Sequence, residues 1–191
     1  MTDVDTASES LRERLVGAGV DMLEEVGAGQ LGLRAITRAA GVSHGAPRRH
    51  FPTHRALLAA IAARGFADLI ERFARAAAGA TTPLDQLQVM AVEYVEFAGE
   101  RPEMFTLMFR HDLLEGSGEN LRAITLPLFE RFAALVAAAA STATDQRAVA
   151  IALWTNLHGI AALQANRSLQ LVVPATDTRA LVAQVLSLHL A

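Results

Sequence analysis

The sequence predicts an all-α protein: an N-terminal three-helix helix-turn-helix domain joined by a long helix to a larger C-terminal helical domain. Three observations carry this. Apolar residues make up 52% of the chain while aromatics supply only 5%, and alanine is abundant, a composition that favours helices. Apolar positions recur at helical spacing, beginning with Leu11, Leu15, Ala18, Met22 and Val26. No credible strand is found: the only candidate, Leu169 to Val173, is too short to pair by itself.

The elements follow in order. Ser10 and Glu13 form a capping box for the first helix, and Gly27 and Gly29 mark its far end. Leu33 to Ala40 is a short second helix, with Ile36 and Ala40 inward and Gly41 as its stop. Ser43 caps a third short helix over His44 to His50. Pro52-Thr53 breaks the chain, and Leu57, Ile61, Leu69 and Phe73 carry a long fourth helix to the Ala-Gly-Ala-Thr-Thr-Pro linker at 78–83. Further helices are expected at about 84–99, 102–114, 119–140, 145–168 and 176–190, divided by Arg-Pro, Gly-Ser-Gly, Ser-Thr-Ala-Thr and Val-Val-Pro. The expected domains are 1–55, a connecting helix 56–80, and 81–191.

The net charge of -3 hides an asymmetry. Between Glu25 and Asp68 there is no acid, yet Arg34, Arg38, Arg48, Arg49, Arg55 and Arg64 lie there with His44, His50 and His54. A basic block within an acidic chain suits an anionic partner, most simply nucleic acid, or else a solvated basic face. Two short helices joined by Gly41-Val42-Ser43 make a helix-turn-helix, which lays its second helix in the major groove of DNA. Gly45 permits close approach, and Arg48 and Arg49 can each fork onto phosphate or a guanine edge. Ser43, His44 and His50 complete the expected contact set on that helix, with Arg34 on the second helix and His54 on the fourth. Backbone N–H groups at Gly32–Leu33 and after Pro52 stand at helix starts, where phosphates are held.

Residues 11–64 resemble the DNA-binding domain of the tetracycline-repressor (TetR) family. The resemblance rests on Ile36-Thr37-Arg38-Ala39-Ala40-Gly41-Val42-Ser43, then Gly45, then His50-Phe51, with Leu57-Leu58 beyond. It implies a DNA-binding regulator. The chain makes three departures from the family pattern: Pro47-Arg48 in place of Leu-Tyr, His54 in place of Lys, and Gly32 in place of a Ser or Thr cap. Arg48 can replace the tyrosine's phosphate contact, whereas Pro47 removes a backbone donor from the recognition helix.

In the larger module, flexible methionines and flat aromatics suit either a helical core or a pocket for an apolar ligand. Met90, Tyr94 and Phe97 come from its first helix, Met104, Phe105, Met108 and Phe109 from the next, and Phe129 from the third. Trp154 and His158 are four apart on one helix face. Their Trp-x-x-x-His-Gly spacing, with Pro102-Glu103-Met104-Phe105 and Leu107-Met108-Phe109, resembles a TetR branch marked by that motif, extending the resemblance over most of 84–168. Ala148, Ala152, Thr155 and Gly159 form a small-residue track, and Leu181, Val185 and Leu188 an apolar one, together predicting a homodimer through the last two long helices.

No cysteine is present, which removes disulfides and Cys-based zinc sites. His111 and Glu115 are two groups at most, too few for a metal site, and no nucleophile elbow or Ser-His-Asp order appears. No cofactor is called for. The polar start MTDVDTASES lacks a signal-peptide pattern, and the longest apolar run, Phe132–Ala140, is nine residues against the roughly 20 that span a bilayer. The expected protein is cytoplasmic, binds a palindromic operator in double-stranded DNA and is released by a small apolar effector, as a repressor. The residues alone leave two rivals: a helical ligand-binding protein without DNA recognition, favoured by Pro47, and a helical enzyme using His158 or His111.

Overall fold

A computed structural model describes residues 3–42, 47–140, 145–173 and 177–190. Among these, helices are the only regular elements: α1 (Asp3–Val26), α2 (Leu33–Ala39), α3 (Pro47–His50), α4 (His54–Ala77), α5 (Pro83–Glu100), α6 (Pro102–Met108), α7 (His111–Leu114), α8 (Arg122–Ala139), α9 (Gln146–Ala165), α10 (Leu169–Val172) and α11 (Thr178–Leu190).

Most boundaries fall where local chemistry stops a helix. Gly27 and Gly41 end α1 and α2 with φ of +70° and +64°, conformations that cost an L side chain but not glycine. Thr53 Oγ1 accepts from Ala56 N at 3.1 Å to start α4, and Thr82 Oγ1 accepts from Asp85 N at 3.1 Å to start α5, with Pro83 in its first turn. Asp145 caps α9 through Ala148 N at 3.0 Å. Gly32 caps α2 without a side-chain bond.

Two expectations are corrected. The first helix does not start at Ser10; it reaches back to Asp3, since no glycine or proline interrupts 3–10. The helix expected over 102–114 is split, with α6 ending at Met108 and α7 beginning at His111; between them the Arg110 guanidinium folds onto Asp112 in a bidentate pair of two 2.7 Å bonds. Leu169–Val172, within the only candidate for a strand, is a single helical turn, as an all-α chain requires.

The chain divides into two compact units: residues 1–65 with 103–121, and residues 66–102 with 122–191. The division falls inside α4. In the first unit α1 packs on α2 and α3, around a core of Leu15, Leu23, Leu31, Ile36, Phe51, Leu57 and Ile61. In the second, α5 packs on α8, α9 and α11, and α9 also packs on α8 and α11; Leu87, Val95, Phe97, Val136, Leu153 and Val182 are fully buried there. The helix α9 is long and apolar enough by composition to cross a membrane, although polar residues such as Asn156 and His158 interrupt its apolar run.

Candidate DNA interface and effector site

The basic turn is built outward from the core of the first unit. Ile36 and Thr37 are buried on α2, and Thr37 Oγ1 donates to Leu33 O at 2.6 Å, so Arg34 and Arg38 point to solvent. After Gly41 the chain reaches α3, where Arg48 and Arg49 are exposed and His50 half-buried. Phe51, only 1% exposed, anchors the end of α3. Ser43, His44 and Gly45 lie outside the described residues. Arg34, Arg38, Arg48 and Arg49 are thus four exposed guanidiniums on the two helices of the motif, a charge pattern suited to phosphates and guanine edges.

His54 is exposed, and its Nε2 lies 2.6 Å from the Leu31 carbonyl. A carbonyl only accepts, so this nitrogen carries a hydrogen and braces the loop before α2. Sequence reasoning missed two other braces. Arg14 donates to Ala40 O at 2.6 Å, at the C-terminal end of α2, where a cation suits the helix dipole. Arg12 stacks its guanidinium 5.4 Å over the Phe51 ring. Neither pair has a local sequence spacing that would reveal it.

The expected effector residues fall in both units. Met90, Tyr94, Phe97, Phe129, Trp154 and His158 belong to the second, whereas Met104, Phe105, Met108 and Phe109 belong to the first. In the first, Phe105 and Phe109 are tilted rings 5.0 Å apart. Met104 and Met108 press on Gly65, where an added Cβ would lie 2.5 Å from Met104 Sδ and 2.8 Å from Met108 Sδ.

In the second, Trp154 stacks on His158, with ring centroids 5.4 Å apart at 24°, and meets Phe129 edge-on at 6.2 Å. Tyr94 is buried, its hydroxyl 2.8 Å from His158 Nδ1. With the tyrosine O–H donating to Nδ1, the neutral imidazole carries its proton on Nε2. Burial pushes the Tyr94 pKa far up and lowers that of His158, both keeping these groups neutral. A cleft of about 200 Å³ in this unit is lined by Ala76, Val89, Val92, Glu93, Glu96 and Arg179; it shares no residue with the expected effector set.

On the outer face of α9, Ala148, Ala152, Thr155 and Gly159 are all exposed, and a Cβ added at Gly159 would meet nothing within 4 Å. Ile151 and Leu163 flank that track, 47% and 43% exposed. On α11, Leu188 is 72% exposed and Leu181 half-buried. Val185 differs from its expected place: it is packed inside the unit at 6% exposure, because it follows Val182 by three residues on the same inward face.

Residues 15–61 match the family of bacterial regulatory proteins designated tetR, and residues 87–188 match the tetracyclin repressor-like C-terminal domain. Among solved structures the chain is similar to a protein of unknown function from Rhodococcus sp. RHA1, at 28% identity over 94% of this chain and 93% of that one, with a TM-score of 0.79. A TetR-like transcriptional regulator from the same organism aligns at 21% identity over 94% and 93%, TM-score 0.69. The regulator FadR of Bacillus subtilis, in complex with stearoyl-CoA, aligns at 16% identity over 94% and 97%, TM-score 0.69; these last two show a shared fold. No curated protein matches the sequence. With one family model covering the helix-turn-helix and another covering more than half of the chain, this protein belongs to the TetR family of transcriptional regulators.

Proposed function

We propose that the protein is a cytoplasmic, homodimeric repressor that binds a palindromic operator and is released by a small apolar effector. The observation that carries the DNA reading is the set of exposed arginines on α2 and α3, set in a stretch of more than forty residues without one acid. The role is regulatory rather than catalytic. The DNA-contacting residues are Arg34, Arg48, Arg49 and His50, with His54 beside them through the ring nitrogen not bonded to Leu31.

The second copy docks on α9 and α11. Only 28% of the apolar window of α9 is buried within the chain, and the exposed part carries the Ala148, Ala152, Thr155, Gly159 track between Ile151 and Leu163. Small residues let two helices approach closely, and the flanking apolar side chains supply area for association. Two copies then present two α3 helices to half-sites about one helical turn apart or a multiple of it.

The effector lies against the second unit, with Trp154 and Tyr94 in the wall and His158 as the polar group that orients it. The FadR neighbour's stearoyl-CoA supports an apolar acyl-type compound. The effector acts by favouring an arrangement whose α3 helices are wrongly spaced, and α4, which runs through both units, is the lever.

The test selects 30-base-pair duplexes from a random pool with the purified protein, then titrates straight-chain fatty acids and their thioesters by calorimetry with and without the selected duplex. The reading expects a palindromic consensus and an acyl compound whose affinity falls by the same factor by which it weakens DNA. Recovery of no preferred duplex alongside tight acyl binding would instead favour a ligand-binding protein without DNA recognition.

A further inference from the structure

Residues 103–121 lie in the chain between α5 and α8, both in the second unit, yet they pack with the helix-turn-helix unit. Two contacts fasten this segment to α1. At one end the Glu24 carboxylate accepts from Glu103 N at 3.1 Å and Met104 N at 3.0 Å, closing the start of α6. At the other, Arg12 Nη2 meets Glu119 Oε1 at 2.5 Å. Arg12 and Glu24 are twelve residues apart on one helix, about 18 Å at 1.5 Å per residue, so the segment is tied along much of α1. Between the ties, Leu114 and Ser117 are buried, and Ser117 Oγ accepts from Glu119 N at 3.3 Å, setting the backbone that presents Glu119.

Arg12 has a second partner. Its guanidinium covers Phe51, the residue that follows α3 and anchors it in the core. A guanidinium can pair in its plane with a carboxylate while its face stacks on a ring, so one side chain touches both the segment and the end of the recognition helix.

We propose that residues 103–121 act as a strap on the DNA-binding unit, and that Arg12 is a positioning residue transmitting the strap's state to α3, with Glu119 on one side and Phe51 on the other. The strap's two ends continue into α5 and α8. A change of spacing between those helices pulls on Glu119, and through Arg12 on the ring that seats Arg48 and Arg49. This route reaches α3 without passing along α4. It rests on α3 being the recognition helix.

The experiment is a double-mutant cycle on intact protein with Glu119→Gln, Arg12→Ala and the double variant. Each is titrated with the duplex selected by the wild type and with a scrambled duplex of equal composition, and the ratio of the two affinities is read. The ratio cancels the general effect of changing a charge near DNA. Each single variant is expected to lower the ratio roughly three-fold, the scale of a partly exposed ion pair, and the double variant to lower it no further. Thermal melting within two degrees of wild type shows that the fold is intact; a larger shift moves the cycle to Arg12→Lys, which keeps the ion pair and loses the planar stacking, and is expected to lower the ratio by the same factor. An unchanged ratio for Glu119→Gln, a product of the two single effects in the double variant, or an equal loss on both duplexes overturns the strap. A wild type that selects no duplex overturns the recognition-helix reading and the strap with it, whereas a selective wild type with insensitive variants overturns the strap alone.

Discussion

Tyr94 Oη and Nδ1 of His158 share a 2.8 Å hydrogen bond, joining α5 to α9 sixty-four positions along the chain. When the hydroxyl is the donor, the pair fixes the tautomer of the imidazole and makes its protonation costly, because a charged ring would carry a hydrogen on Nδ1 and leave the buried tyrosine proton without that acceptor. Burial lowers the His158 pKa from its ordinary 6.5. A histidine with a lowered native pKa binds fewer protons folded than unfolded. Its contribution is therefore intact above about 6.5, declines as pH falls below it, and levels off beneath the native pKa. Nitrogen-detected imidazole spectra are expected to show the Nε2–H form at pH 7. Unfolding by urea at pH 7.5 and 5.5 is expected to show a smaller pH loss in His158→Leu than in wild type.

Tyr94→Phe removes the hydroxyl and takes this hydrogen-bond partner from His158 Nδ1. The expected cost is about 1–3 kcal/mol, the range for stranding a buried polar partner, read as a lower urea midpoint with an unchanged slope. A variant within 0.3 kcal/mol of wild type would show that the hydroxyl does not bind the two rings together.

Binding to the selected duplex is expected to fall steeply with salt. With about four phosphates neutralised by each protomer, the slope of log affinity against log salt is near -7 for a dimer, at roughly 0.9 per phosphate. Arg48→Ala or Arg49→Ala flattens it by about two if that side chain holds phosphate in both half-sites. If it reads a base instead, the slope is kept, about 1–3 kcal/mol is lost, and one consensus position relaxes. Gel shifts from 50 to 300 mM salt separate the two, and a double variant that binds like wild type would remove α3 from the interface.

Gly159→Arg and Leu188→Glu are expected to yield monomers in sedimentation at micromolar concentration, with the helical content of the wild type. The first fills the open space above α9 and the second charges an exposed apolar side chain on α11. Val185→Ala serves as the contrast: it empties part of the unit's own core, and is expected to lower stability by about 1–3 kcal/mol without changing the state of association. Dimers that survive both surface variants would direct the search to another face.

Gly65→Ala tests how tightly α6 lies on α4. Alanine gains about 1 kcal/mol in helix propensity over glycine, but here its methyl would enter the space of two methionine sulfurs. Overpacking of that kind costs about 1–3 kcal/mol, so a net loss of stability is expected, and a stabilised variant would show that Met104 and Met108 give way freely.

What the sequence made legible were features written in adjacent residues. Gly27, Gly41, Thr82-Pro83 and Asp145 each carry their own instruction to stop or start a helix, and the Gly41 turn with its flanking pattern placed the DNA-binding domain. The Trp154 and His158 pairing was visible as a spacing of four. What stayed hidden depends on distant partners: Arg12 with Glu119 is 107 positions apart, and Glu24 with Met104 is 80. Val185 was misplaced for a related reason. An apolar residue on an end helix serves a core or a surface equally well until its neighbours are known. The same ambiguity grouped Met104, Phe105, Met108 and Phe109 with Tyr94 on residue type alone; the two sets belong to different units.

Trp154 is the only tryptophan in the chain, it is 37% exposed, and it lies flat against an ionisable ring. An excited indole loses emission readily to a protonated imidazole and shifts colour when water is displaced from its edge. The molecule therefore carries one native optical probe at the junction of α5, α8 and α9. Its brightness reports the charge of His158 and its colour reports what covers the outer edge, so titration, ligand entry and pairing of chains can be followed on unlabelled protein and told apart by which of the two signals moves.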